Sequence, residues 1–186
     1  PPTALPPPRT AGIIALKRPE GEDRSAPPST ARTLTRCLGT RMGTAIRIPD
    51  SDLRPSGRVA TGVRGMRLAE GDQIVGAEVL SHGQTLFAIT ENGFGKRTSI
   101  DEYPVQKRGG KGVISIKTTE RNGLVIGILL VSEDDDLMLM TNIGKVIRMQ
   151  VNSISVISRN TQGVKLMGMD ADERVAGAAR LAEKEE

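Results

Sequence analysis

The stretch Gln106-Lys107-Arg108-Gly109-Gly110-Lys111-Gly112 places three cations and three glycines within seven residues. Glycine has no Cβ, so the backbone N–H groups of such a loop can come close to an anion. Lysine and arginine beside them neutralise neighbouring phosphates. The chemistry favoured is multivalent phosphate contact rather than bond making or breaking. Weaker versions recur: Arg58 and Arg159 each stand four residues before a glycine (Gly62, Gly163), as Arg108 stands before Gly112.

Other chemistry finds little support. The phosphate-binding pattern G-x-x-x-x-G-K-[ST] is absent, and Gly93-Phe94-Gly95-Lys96-Arg97-Thr98 has the wrong spacing for it. Asp134-Asp135-Asp136 lacks a glycine-bearing ligand loop and reads as an acidic hairpin tip. Tyr103, the single tyrosine, is followed by Pro104 and has no base beside it, so a packing role is expected. His82 adjoins Gly83 in a turn, where a solvated imidazole is expected. One Cys (Cys37) excludes an internal disulfide and, with one His, cannot build a usual zinc site. No apolar run approaches bilayer length, and the proline-rich start does not read as a signal peptide. The expectation is a cytoplasmic soluble protein with no catalytic residues, no metal and no membrane partner.

These cations belong to a repeat of about fifty residues. Thr40, Thr90 and Thr141 each precede a glycine by three positions (Gly43, Gly93, Gly144), and each glycine precedes an arginine by four (Arg47, Arg97, Arg148). Arg58, Arg108 and Arg159 share this phase, with steps of 50 and 51, as do Gly76, Gly127 and Gly177. Periods of this size mean stacked or radially arranged units. Charge follows the repeat: residues 41–67, 93–117 and 144–167 carry a net +12, and residues 68–92, 118–143 and 168–186 carry −11. One part of every unit is thus expected to be basic and another acidic.

The elements that must position these residues are short strands. Leu86–Thr90, Val113–Lys117, Leu124–Val131, Leu137–Thr141, Lys145–Val151 and Val164–Met167 are rich in Ile, Val, Leu, Met and Thr. Asn92-Gly93 and Asn122-Gly123 are expected to form type I′ turns. No stretch keeps a 3.6-residue period, and about four strands per unit fit a propeller-like blade. Residues 1–37 differ, since eight of eleven prolines fall in the first 28 residues. They read as a degenerate, partly disordered blade remnant, although Gly12–Leu16 sits 50 residues before Gly62–Met66. A pair of compensating frame slips upstream of Leu38 would explain this. Residues 38–182 read as the repeat domain and 183–186 as a short acidic tail.

The expected ligand is duplex DNA. Single-strand and RNA modules stack bases on aromatics, and this chain holds only Phe87, Phe94 and Tyr103. No recognition helix for the major groove is visible. What remains is backbone contact from repeated loops, with little sequence readout and a preference for bent duplex.

At these residues the chain resembles the C-terminal DNA-wrapping domain of the bacterial DNA gyrase A subunit. The resemblance is carried by Ile46–Leu68, Thr90–Ile116 and Thr141–Leu166, and it covers roughly residues 38–182. Gln106–Gly112 is similar to the family's box motif QRRGGKG, with Lys107 for the first arginine. The resemblance implies a six-bladed β-pinwheel with strands exchanged between neighbouring blades and a basic perimeter that wraps duplex DNA. In the intact enzyme this supports ATP-dependent negative supercoiling. ATP hydrolysis then belongs to the B subunit, while the cleavage tyrosine belongs to the N-terminal part of the A subunit. The implied partners are DNA and those two regions, in an assembly of two A and two B subunits within the bacterial cytoplasm and nucleoid. The implied chain holds no cofactor itself, ATP and Mg acting on other domains.

Two departures stand out. The chain holds three clear units and a remnant, not six, so it reads as a partial, all-β pinwheel. Only one full unit follows Gln106–Gly112, which makes it similar to the second, later box of some members. Strand exchange is expected to leave an open edge at the N-terminal end. Lys107, Arg108 and Lys111, with Gln106, Gly109, Gly110 and Gly112, are expected to contact phosphate most strongly. Arg58, Arg64, Lys96, Arg97, Lys145, Arg148, Arg159 and Lys165 are expected on the same rim. The rival readings are the related domain of topoisomerase IV, which typically lacks a good box, a propeller-type protein-interaction module, and an inactive gene fragment.

Overall fold

A computed structural model of the chain describes residues 13–14, 35–53, 63–81 and 83–181. Arg58, Gly62, His82, nearly all of the expected remnant 1–37 and the tail 183–186 lie outside the described residues.

Each unit begins with a hairpin: β2 (Thr35–Thr40) with β3 (Thr44–Pro49), β6 (Thr85–Thr90) with β7 (Phe94–Ser99), and β10 (Asp136–Thr141) with β11 (Val146–Gln150). The Thr-x-x-Gly signature closes all three. Gly43, Gly93 and Gly144 donate their N–H to Thr40, Thr90 and Thr141 O at 3.0, 3.1 and 3.1 Å. Each of these glycines has a φ between 77° and 85°, a left-handed conformation that a side chain would strain. The threonine hydroxyls tie the strand ends: Thr40 and Thr141 Oγ1 accept from Thr44 and Lys145 N, and Thr90 Oγ1 donates to Phe94 O. Residues 91 and 92 are therefore the centre of the second turn, so Asn92-Gly93 is not the central pair of a type I′ turn. Asn122-Gly123 is not a two-residue hairpin either, since Gly123 N donates four residues back to Thr119 O.

After each hairpin come a single 3-10 turn (Asp50–Asp52, Ile100–Glu102, Val151–Ser153) and a loop. A two-residue strand then follows: β4 (Val63–Arg64), β8 (Val113–Ile114) and β12 (Val164–Lys165). The last strand of each unit is β5 (Ile74–Leu80), β9 (Val125–Val131) or β13 (Val175–Leu181). The sheet orders are β5-β2-β3-β8, β9-β6-β7-β12 and β13-β10-β11. The short strand of one unit thus completes the blade of the unit before it. β4 pairs with β1 (Ile13–Ile14). All three blades carry the same irregularity, a register shift just before the hairpin threonine.

Neighbouring blades touch through β5 on β9 and β9 on β13, on the side away from the exchanged strands. One core joins Cys37, Leu80, Leu86, Tyr103 and Ile128 across the first two blades, and another joins Phe87, Leu137, Val151 and Val175 across the last two. This is the partial, all-β, strand-exchanged propeller expected from the sequence. Exchange runs backward along the chain, and among the described residues the last blade has three strands with β11 at its edge; the open edge expected at the N-terminal end falls among residues mostly outside those described.

Candidate nucleic-acid interface

The loop 106–112 is anchored through its backbone. Gln106 N donates to Arg47 O at 2.8 Å and Gly109 N to Gly65 O at 2.6 Å, while Gly110 O accepts from Arg67 N at 2.8 Å. Arg108 N donates to the Asp52 carboxylate at 3.2 Å. All four partners belong to the preceding unit. Gly112 has φ 76°, and a Cβ there would lie 2.5 Å from Ala45 O, so only glycine lets the loop settle on β3. The side chains of Lys107, Arg108 and Lys111 are exposed. Among the described residues, none of the three has a hydrogen-bond or ion-pair partner. A fixed backbone thus presents three unneutralised cations.

The equivalent loop of the last unit repeats the anchor. Arg159 N donates to Glu102 Oε2 at 3.0 Å, as Arg108 N does to Asp52. The Arg159 guanidinium is less free: it donates to Ile114 O at 2.9 Å and lies over the Tyr103 ring, 6.0 Å from its centroid. Arg64 and Lys165 are exposed on β4 and β12. Lys145 and Arg148 are also exposed, but each is paired, to Glu173 at 2.9 Å and to Asp136 at 2.5 Å.

Lys96 and Arg97 correct the sequence expectation: both are buried. Lys96 Nζ donates to Ser158 O at 2.7 Å, to Arg159 O and to Thr161 Oγ1 at 3.2 Å. Burial is the main cause that lowers its pKa to about 8, with the Arg159 charge adding and Glu102 opposing. Arg97 Nε donates to Ile154 O at 2.7 Å, and Arg97 also pairs with Glu133 at 2.7 Å. In the first blade, Arg47 likewise donates to Ile100 O at 3.0 Å. These side chains clamp the next blade's turn and loop rather than line an outer rim.

Two positions escaped sequence reasoning. Arg67 and Lys117 are exposed and stand one repeat apart. Arg67 N bonds to Gly110 O within the cationic loop, and Lys117 N bonds to Thr161 O at the equivalent place. Their shared phase was a usable signal, but they fall outside the glycine motif. The basic stretches occupy the hairpins' second strands and the exchange loops. The acidic stretches occupy β5, β9 and β13, the hairpin strands β6 and β10, and the turns between them.

Tyr103 and Cys37 are both buried. The Tyr103 hydroxyl is hydrogen-bonded to Ser115 Oγ at 2.8 Å, and burial pushes its pKa up to about 12. Burial also pushes the Cys37 thiol up to about 12. Neither is a nucleophile near neutral pH. Among the described residues, no three His, Cys, Asp or Glu side chains group as metal ligands. No described helix is long and apolar enough to cross a membrane.

The family described as DNA gyrase C-terminal domain, beta-propeller, matches residues 37–81, 84–132 and 135–182. Similar curated proteins include the DNA gyrase A subunits of Escherichia coli (strain K12), 43% identical over 175 residues, and of Staphylococcus aureus (strain NCTC 8325 / PS 47), 41% identical over 178. Each alignment covers 94% of this chain and 20% of the relative, so the chain spans about one fifth of the length of these relatives. Among solved structures, a DNA gyrase A C-terminal domain matches with TM-score 0.75 and 26% identity, covering 81% of this chain and 52% of that one. A DNA topoisomerase IV C-terminal domain matches with TM-score 0.75 at 24% identity, covering 80% and 47%, a likeness of fold alone.

Proposed function

The chain belongs to the DNA gyrase C-terminal domain family, and from that premise we propose that it binds duplex DNA without sequence preference and bends it along its basic edge. The observation that carries this reading is the loop 106–112, whose backbone is bonded to the preceding unit while Lys107, Arg108 and Lys111 stay exposed. A loop whose backbone is already fixed adds little backbone ordering cost when it binds phosphate, and each cation neutralising a phosphate releases counterions. Arg64, Arg67, Lys117 and Lys165 extend the contact, with Arg159 contributing less because its guanidinium is already engaged. Arg58 fits the same set by its repeat phase.

In an intact enzyme the wrap presents a segment for strand passage and supports ATP-dependent negative supercoiling. Cleavage comes from the N-terminal region of the gyrase A chain and ATP hydrolysis from the gyrase B chain, with ATP and Mg bound there and none in this chain. The setting is the bacterial cytoplasm. A topoisomerase IV role is less well supported, because the gyrase-type box is nearly complete at Gln106–Gly112.

The test is the triple variant Lys107→Ala, Arg108→Ala, Lys111→Ala. Binding is expected to weaken on every duplex sequence, with the log–log salt slope falling by about three. Unchanged affinity and slope would overturn the proposal.

A further inference from the structure

Two of the exchange loops carry an exposed apolar side chain at their entry. Val105 is 54% exposed and Val156 is 48% exposed, and they stand 51 residues apart, in the phase of the repeat. The first unit has Pro55 in that phase. The flanking positions change character between units: Arg54, Pro104 and Ser155 before, and Ser56, Gln106 and Ile157 after. A single exposed valine needs no explanation, but an apolar residue kept at one place in three units, between neighbours that vary, asks for one. Neither valine can withdraw. Val105 bridges Arg47 and Val156 bridges Arg97, both in parallel. The next amide fixes each bridge, Gln106 N donating to Arg47 O at 2.8 Å and Ile157 N to Arg97 O at 2.9 Å. Since β3 and β7 pair with β2 and β6 on their other side, both valines lie at the edge of a blade opposite the strands through which blades touch. The Gln106 amide oxygen lies 3.2 Å from where a Gly110 Cβ would stand, so Gln106 faces into the loop, while Val105 and Lys107 on either side of it are exposed. Apolar and cationic side chains thus follow one another outward at the start of the loop 106–112.

A duplex strand presents a matching succession: an anionic phosphate, then a sugar with an apolar face. Cations answer the phosphates and gain from counterion release. An apolar side chain answers the sugar. Deoxyribose offers it C–H groups at C2′, whereas ribose brings a hydroxyl that would lose water without gaining a partner. A valine has no hydrogen-bonding group with which to satisfy that hydroxyl. We propose, resting on the reading of duplex DNA binding given above, that Val105 and Val156 lie against deoxyribose in the bound duplex and make this edge prefer DNA to RNA. They add salt-independent affinity to the salt-dependent contact of Lys107, Arg108 and Lys111, and they read no base.

The test is affinity of the 186-residue chain for a DNA duplex and an RNA duplex of one sequence, each titrated with salt. Three proteins are compared: the unchanged chain, the double variant Val105→Thr with Val156→Thr, and Val79→Thr. Threonine keeps the β-branched shape and adds one hydroxyl, so at exposed positions the variants are expected to fold. The unchanged chain is expected to prefer DNA. The double variant is expected to bind DNA about fivefold more weakly at every salt concentration, with an unchanged log–log slope and a smaller preference over RNA. Val79 is 43% exposed on β5, away from the loops, and Val79→Thr is expected to change neither. Equal binding of the two duplexes by the unchanged chain would overturn the proposal. So would a preference for DNA that survives in full in the double variant, since duplex shape would then account for it. A lower salt slope in the double variant would mean that the valines act through the loop's cations, which also contradicts the proposal. A shallow salt slope on DNA in the unchanged chain would overturn the reading of duplex binding itself, and this proposal with it.

Discussion

The Glu102 carboxylate accepts the Arg159 backbone N–H at 3.0 Å, from the neighbouring unit. Asp52 does the same for Arg108 at 3.2 Å. In both, an acid of a 3-10 turn fixes a loop of the next unit by its backbone, and in the loop 106–112 the three cationic side chains stay exposed. Asp52→Ala is therefore expected to lower stability by about 1 kcal/mol, the usual size for one lost hydrogen bond to a charged partner at the surface. Asp52→Asn keeps an acceptor and should lose less. Urea denaturation of the three proteins checks the order.

Gly109 and Gly112 separate strain from crowding. Both have positive φ, but a Cβ on Gly109 meets nothing within 4 Å while one on Gly112 meets Ala45 O at 2.5 Å. Gly109→Ala is expected to cost about 1 kcal/mol from backbone conformation alone. Gly112→Ala should cost clearly more and also weaken duplex binding, because the loop must leave β3.

Arg97 and Arg148 hold the same place in the repeat but differ in surroundings. Arg97→Ala removes a buried donor and strands the Ile154 carbonyl, for an expected loss of about 2–3 kcal/mol. The Arg148 side chain is 60% exposed, and Arg148→Ala is expected to cost under about 1 kcal/mol. Equal losses would contradict the clamp assigned to Arg97.

Much of this was legible in the chain. The Thr-x-x-Gly step marked the hairpins because the hydroxyl and the left-handed glycine both act within five residues. The direction of strand exchange was not legible: a two-residue strand such as β8 has no alternation to read, and its partner β3 is chosen by packing about 70 residues away. The burial of Lys96 and Arg97 was hidden for a related reason. Most of their acceptors are carbonyls of residues 154–159, and carbonyls leave no trace in side-chain pattern. Arg148 shares the motif yet stays exposed, so sequence alone could not sort the three arginines.

Stability should vary with pH in a particular way. Lys96 gives up its proton near pH 8 when folded and near 10.5 when unfolded, so the folded state is penalised below 8 and stability rises through that window. The Cys37 thiol ionises near 9 when unfolded but only near 12 when folded, so stability present below 9 is lost above it. Tyr103 adds a loss above 10. Unfolding free energy is expected to rise from about pH 8 to 9 and then turn over. Cys37→Ala should remove part of the decline, and Lys96→Met the rise. Denaturation curves at half-unit pH steps check both.

Arg67 provides a test of the extended contact. Arg67→Ala is expected to reduce the log–log salt slope of duplex binding by about one, without changing preference among sequences. A change in sequence preference would mean that its side chain reads bases rather than phosphate.

The central claim, a basic edge that binds and bends duplex DNA, is tested most directly by affinity for duplexes of about 20 and about 150 base pairs, each titrated with salt. The account expects steep salt dependence at both lengths and a gain on the long duplex beyond its larger number of sites. Weak binding in a folded sample, or affinity independent of salt and length, would contradict it.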